Sequence, residues 1–433
     1  MTSSQMMKRF KIAFLLYLII AICLLAFLAV VPVYGQGYQM FRRQMERIAE
    51  ETRFQIGPFR IYPAIRLRNI GYDDNVYRQR KIDNPVTDFT GTAALEVRAY
   101  VLFRNYLIFS LSEIPEYVYY FEQKRERAWN NTFSSELRFL FLNRFVISGR
   151  HSYIKARRRP TSEFDVRTNV HQLRYSGSLF YETSRRTSFG IAASYEDIAI
   201  VVTTTPEDDV RIPRALDREE ISGYFEFYYR IFSESQFFLN GGYTEYKFKY
   251  TESGYRNSYS YQVYSGIQFP LLGRLRGTFS LGYKRMTPER RGRIGFSGLV
   301  GNTGLNLRIK RFSFRFRYER DTRFSYWTEN IFYLEDLYGT GISYYITRFL
   351  RLDYDFNYRI SYYPEGVLLR MPDEHYQVVH RKDYYHVHTI GLVLRIIRNT
   401  GIGVSVNIWD RDSNINWVTR DRMFVGVSVT QDF

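Results

Sequence analysis

Thiols are all but missing from this chain: among 433 residues the one cysteine is Cys23, inside an N-terminal apolar run. An exported form beginning after that run has none, which excludes a disulfide framework and a thiolate metal site. Long apolar runs are equally scarce. Residues 12–31 form the only one, and with a mean hydropathy of −0.34 and 24% charged residues the remainder cannot be a bundle of membrane-crossing helices. Histidine occurs six times, at His151, His171, His375, His380, His386 and His388. His386 and His388 stand at i and i+2, a spacing that can chelate a metal, but no third ligand accompanies them and a place in a strand wall is the stronger reading. No G-x-S-x-G or comparable nucleophile motif is present, nor a Gly-rich phosphate loop or a nucleic-acid module. The sequence therefore implies no catalytic residue, no cofactor, no metal and no nucleic-acid partner.

The apolar run follows Lys8, Arg9 and Lys11 and precedes Val33-Tyr34-Gly35, the layout of a secretory signal peptide cut after Gly35. Its 20 residues are also enough to span a bilayer, so an uncleaved anchor stays open as the alternative, although it conflicts with the terminal strand described below. Ile20-Ala21-Ile22 before Cys23 lacks the small residues of a lipoprotein site. Removing residues 1–35 takes away three positive charges and no negative one, leaving +14 of the full chain's +17. Such an excess, mostly arginine, implies anionic partners: lipopolysaccharide outside, an acidic solute within, or both.

Aromatic residues are abundant. The 39 Tyr, 35 Phe and 4 Trp make up 18% of the chain, which suits the girdles and outward strand faces of a membrane barrel. The final stretch, Met423 to Phe433, reads M-F-V-G-V-S-V-T-Q-D-F. Val425, Val427, Val429 and Phe433 alternate with Gly426, Ser428 and Thr430, the period of a strand with one oily and one wet face. A terminal strand of this kind closing on Phe resembles the signal read by the outer-membrane barrel assembly machinery. Phe312, Phe314, Phe316 and Tyr318 alternate with Ser313, Arg315, Arg317 and Glu319, and Leu350, Leu352, Tyr354, Phe356, Tyr358 and Ile360 with Arg351, Asp353, Asp355, Asn357 and Arg359. Short polar breaks alternate with longer ones, eight against nine, as tight periplasmic turns and long outer loops do. The expected fold is all-β: a transmembrane antiparallel up-and-down barrel of about 18 strands, within a range of 16 to 20. Strands near Tyr106 to Phe121 and Ile331 to Tyr345 alternate poorly. Three segments follow: a signal peptide over 1–35, a periplasmic leader over 36–57 and the barrel over 58–433. Within the leader, Phe41, Met45, Ile48 and Ala49 space a short amphipathic helix between Tyr38 and Arg53.

Taking the wet side of each strand as lumen assigns Arg66, Arg68, Glu96, Arg98, Glu136, Arg138, Arg174, Glu226, Arg230, Arg276, Lys284, Arg315, Arg317, Glu319, Arg351, Asp353, Asp355 and Arg359 to the pore lining. An arginine-rich wall favours anions by charge and by bidentate contact with carboxylate or phosphate. The competing reading is that these groups pair with one another and keep the lumen wet; the two overlap, since a paired wall still conducts. Asp410-Arg411-Asp412-Ser413-Asn414 opens like a calcium loop, but Ile415 stands where such a loop needs Gly, and a plain outer loop is the better reading.

Gly71-Tyr72-Asp73-Asp74-Asn75-Val76-Tyr77, Tyr318-Glu319-Arg320-Asp321 and Arg411-Asp412-Ser413-Asn414 together resemble the β-barrel porin family of Gram-negative outer membranes, several members of which are associated with exopolysaccharide biosynthesis and export. The resemblance covers most of residues 55–433. It implies a barrel in the outer membrane and hints at polysaccharide traffic with periplasmic export components, and it transfers no catalytic residue. The leading expectation is an outer-membrane channel for anionic solutes or exopolysaccharide. A plugged, non-conducting barrel with a structural or docking role is the alternative, and a barrel enzyme acting on lipid or polysaccharide is the weakest of the three.

Overall fold

The structure, a computed structural model, describes residues 36–52, 54–201, 214–232, 235–271, 274–370, 376–397 and 399–433. The signal-peptide reading of residues 1–35 lies outside the described residues. The chain runs through helix α1 (Gln36–Glu51), a short β1 (Phe54–Ile56), β2 (Phe59–Asp73), β3 (Asp88–Phe103), β4 (Leu107–Tyr120), β5 (Ala128–Phe141), β6 (Phe145–Arg158), β7 (Thr168–Glu182), β8 (Thr187–Val201) and β9 (Arg218–Arg230). It continues through β10 (Gln236–Phe248), β11 (Ser258–Leu271), β12 (Leu275–Pro288), β13 (Phe296–Ile309), β14 (Phe312–Phe324), β15 (Phe332–Tyr345) and β16 (Leu350–Tyr362). A small hairpin of β17 (Val367–Arg370) and β18 (Tyr376–Val379) precedes β19 (Lys382–Ile397), β20 (Thr400–Ser413) and β21 (Arg420–Asp432).

Each strand from β2 to β16 pairs antiparallel with its sequence neighbour, β16 pairs directly with β19, and β2 pairs with β21. Eighteen strands thus close into one barrel, and the long strand-by-strand ladder satisfies the backbone that hydrocarbon could not. Connections of two to five residues alternate with connections of six to nineteen. The tight turns use left-handed residues where a two-stranded twist demands them: Leu142 and Asn143 stand at φ 50° and 55° between β5 and β6.

One face of each strand is oily and looks outward, as Phe312, Phe314 and Phe316 show on β14, all more than a third exposed. Val425, Val427 and Val429 share that outward face of β21, and the amide of Phe433 donates to the carbonyl of Pro63 across the seam at 3.1 Å. The poorly alternating strands are β4 and β15. Their inner faces carry Ile108, covered by α1, and Tyr333, hydrogen-bonded to Ser162 of the 159–167 loop, each about 1–2% exposed, so a large apolar or aromatic residue interrupts the polar inward set of each strand. The Asp410 to Asn414 stretch, expected in a loop, is instead the outer end of β20 up to Ser413. Arg411 there points inward to hold a loop in the lumen, and the outer loop proper is only residues 414–419.

The seam contains the sheet's main irregularity. Asn69 adopts φ 53°, and the pairing of β2 slips by one residue between Arg68 and Gly71 against β3 and between Leu67 and Ile70 against β21. This bulge switches the inward set of β2 from Arg66 and Arg68 to Gly71 and Asp73. It also presses Gly71 against β21, where an added Cβ would overlap the Val425 carbonyl and approach the Gly426 Cα to 2.5 Å. Gly71→Ala should therefore lower the stability of the closed barrel by about 1–3 kcal/mol, the usual scale of overpacking, seen as an earlier denaturant midpoint of the heat-modifiable gel band. Gly223→Ala, whose Cβ meets nothing within 4 Å, should leave that midpoint in place.

Candidate functional site

Following the register around the ring places all eighteen of the polar residues named above on one face, the face opposite the outward aromatics. Ten of their twelve basic side chains have a carboxylate within 4.0 Å. Arg66 and Arg98 share Glu96, Arg68 meets Glu116, Arg138 meets Glu136, and Arg174 lies 4.0 Å from Glu196. Lys284 reaches Asp321 at 2.7 Å, Arg315 reaches Asp355 at 2.7 Å, and Arg317 reaches Glu319 at 2.5 Å. Arg351 pairs with Asp353 at 2.9 Å, and Arg359 with Glu335 at 3.4 Å. Glu226 accepts from the Tyr228 hydroxyl instead. Among the described residues, Arg230 and Arg276 have no such partner. Most of these pairs remain open to water, where each contributes little to stability.

A segment that strand alternation does not mark crosses the lumen. The loop 159–167 between β6 and β7 folds inward as a strap and docks on strands nearly opposite in the ring. The Ser162 carbonyl accepts from the Tyr385 hydroxyl and from Arg411 at 3.3 and 3.2 Å. Glu163, 3% exposed, accepts from the Ser325 hydroxyl at 2.8 Å and the Tyr326 amide at 3.1 Å. Phe164 is buried with Ile200, Leu216 and Phe248, its ring 4.4 Å from that of Tyr326. Asp165 accepts from Arg411 at 2.7 Å, and the Arg411 side chain is only 1% exposed. The signal in the sequence was an acid–aromatic–acid triplet, Glu163-Phe164-Asp165, following Arg157-Arg158-Arg159.

Below the strap lies a chamber of about 1300 Å³ whose described lining holds nine arginines against four glutamates. Sequence reasoning missed its most unusual members, which sit in loops. Arg78, at φ 52°, lays its guanidinium 3.7 Å from the centre of the Trp409 ring. Burial, with Arg159 and Arg422 nearby, pushes Arg78 down to about 8. Burial likewise lowers Arg159 and Arg167 to about 10. At the short-turn end of the lumen, α1 packs Phe41, Met45 and Ile48 on Ile108 and Leu140, and Gln44 accepts from Arg138 at 2.7 Å. His386 and His388 lie on the outer face against Tyr358 and Phe356, and no cluster among the described residues is suited to a metal.

A closed 18-strand antiparallel wall with an oily exterior and a charged, strap-crossed interior defines an outer-membrane barrel of the porin type. The chain belongs to the family described as "Putative beta-barrel porin 2", whose model matches residues 54–433. No curated protein matches the sequence. Among solved structures it is similar to OccK3 (OpdO) of Pseudomonas aeruginosa, at 12% identity and a TM-score of 0.46, covering 90% of this chain and 97% of that one. It is similar to OccAB3 of Acinetobacter baumannii at 9% identity and a TM-score of 0.47, covering 86% and 99%. It is also similar to the FrpB iron transporter of Neisseria meningitidis at 9% identity and a TM-score of 0.43, covering 86% of this chain and 64% of the transporter, so it spans under two thirds of that protein.

The strap generates two linked expectations. Asp165→Ala leaves the buried Arg411 without its carboxylate, a loss on the order of 3 kcal/mol, and should free the strap, giving larger and noisier single-channel currents than the parent. Burial raises the proton affinity of Glu163 despite its two hydrogen bonds and the nearby Arg381. A raised value in the docked strap means that docking is favoured below the ordinary carboxylate range and that this help is lost as pH rises through the raised value. Wild-type conductance should therefore contain a component that increases with pH, and Glu163→Gln should abolish it.

Proposed function

We propose that this protein is an outer-membrane channel of a Gram-negative bacterium that passes anionic solutes, including acidic polysaccharide, and that it serves as the exit pore of an exopolysaccharide pathway. The observation that carries the reading is the nine-to-four excess of arginine over glutamate around the chamber, continued toward the turns by Arg276, Arg315 and Arg317. In a lumen wide enough to hold water, such a wall lowers the energy of an anion and raises that of a cation. Paired arginines keep part of this effect, because each carboxylate partner cancels one charge and leaves guanidinium donors free. Replacing Arg315, Arg317 and Arg351 with Ser should move the reversal potential under a salt gradient toward cation preference. Unchanged selectivity would remove the basis of the reading.

A second reading, a barrel held shut, is favoured by α1 in the turn-side mouth and the strap in the loop-side mouth. It differs from the first in whether the mature chain conducts at rest. Met45→Lys places a charge where α1 meets Ile108 and Leu140 and should release the helix. A current that appears only in that variant supports the shut barrel, whereas equal currents in both support the open pore.

A further inference from the structure

The chamber beneath the strap is more than a stretch of basic wall, because its charges are unevenly matched. Its four glutamates are all engaged. Glu116 holds Arg68 and the Asn130 amide, and Glu196 holds the Gln172 amide and lies 4.0 Å from Arg174. Glu220 accepts from Arg218, and Glu335 stands between Arg323 and Arg359. Arg422 is gripped by both oxygens of Asp73 at 2.7 Å. Arg157 pairs with Glu126 at 3.0 Å. Arg78, Arg158, Arg159 and Arg167 are left, among the described residues, with no carboxylate partner; of these Arg158 is exposed and donates to Gln172, whereas Arg78, Arg159 and Arg167 are half-buried. Arg159 donates to the carbonyls of Asp165 and Val76, which brings it beside Arg78, and Arg167 donates to the Tyr120 hydroxyl. The Nε of Arg78 is buried and has no hydrogen-bond partner.

Three half-buried guanidinium groups in one recess, none ion-paired and reached only at longer range by the charges of Asp73, Asp165 and Glu126, are costly unless something anionic sits between them. Neutral anchors, a Trp face, two backbone carbonyls and a phenol, fix each of them without neutralising it. That is the arrangement that lets planar, multi-donor groups close on carboxylate or phosphate oxygens. The rings of Tyr120, Tyr385 and Phe424 share the chamber, so a sugar-sized body attached to the anion would meet apolar faces. Resting on the reading of the lumen as a route for anions, we propose that this chamber is a binding site for a multiply charged oxyanionic solute of oligosaccharide size, held by Arg78, Arg159 and Arg167. Passage then includes a stop below the strap, and occupancy supplies the missing counter-charge.

The test is isothermal titration of the refolded mature barrel with trigalacturonate, its neutral methyl ester and inorganic pyrophosphate. Trigalacturonate should bind and the ester should not, and added salt should weaken binding as charge screening requires. Arg78→Gln and Arg159→Gln should each weaken it by at least about tenfold, with folding checked by heat-modifiable migration. Among the described residues the Arg78 side chain makes no hydrogen bond or ion pair to the strap and rests on Trp409 instead, so its variant reports on the site even where Arg159→Gln loosens the strap. Arg185→Gln, on an exposed short turn, should bind like the parent. Binding of pyrophosphate alone assigns the site to free phosphates and overturns the sugar-sized solute. No binding of either acid, equal binding of the ester, or an equal loss in Arg185→Gln overturns the site itself. Anion-selective current with no binding would sink the site and spare the channel; binding without current would do the reverse.

Discussion

Hydrocarbon offers no partner to a backbone amide, so every peptide group of this wall that faces lipid must be satisfied within the wall. The pairing of β2 with β21 is what makes that true for the whole ring, and the rest of the molecule inherits its geometry. Closure forces one consistent alternation around eighteen strands, with inner and outer faces agreeing where the last strand meets the first. The bulge at Asn69 is where that alternation is corrected. Without the extra residue, Asp73 would face lipid rather than the two guanidinium nitrogens of Arg422.

A wall that is oily outside frees its inner face for charge, and an 18-strand ring is too wide for side chains to fill. Water therefore keeps the cost of charged side chains low along most of the lumen. The pairs among them organise the wall more than they stabilise it. Local imbalance carries the chemistry. Around the chamber the carboxylates are already committed to some arginines, and others are anchored by aromatic rings and carbonyl oxygens that cancel no charge.

Two of the apolar clusters among the described residues are found at the ends of the lumen, where inserted segments meet the wall. Phe164 of the strap fills one, and Phe41, Met45 and Ile48 of α1 fill another. Each insertion trades water contact for packing on the inner wall, and each narrows the passage. The strap is held by a buried acid and a buried arginine on opposite sides of one phenylalanine, which makes its position sensitive to single charges in a way the wall itself is not.

Much of this architecture was legible in the linear text, because strand alternation is a local property with a period of two. Phe312 to Glu319 and Leu350 to Arg359 announce their faces without reference to any neighbour, and the stripe of Phe41, Met45 and Ile48 announces a helix. The alternation of short and long breaks yields the strand count. What the linear text could not contain is which loop turns inward. Loop 159–167 is as polar as its neighbours, and its partners, Ser325, Tyr385 and Arg411, lie 160 to 250 residues away and come within reach only once the ring closes. The same holds for Arg78 and Trp409. Alternation determined the wall, since each strand carries its own two faces; closure decided the chamber, since only the finished barrel brings distant loops across one lumen.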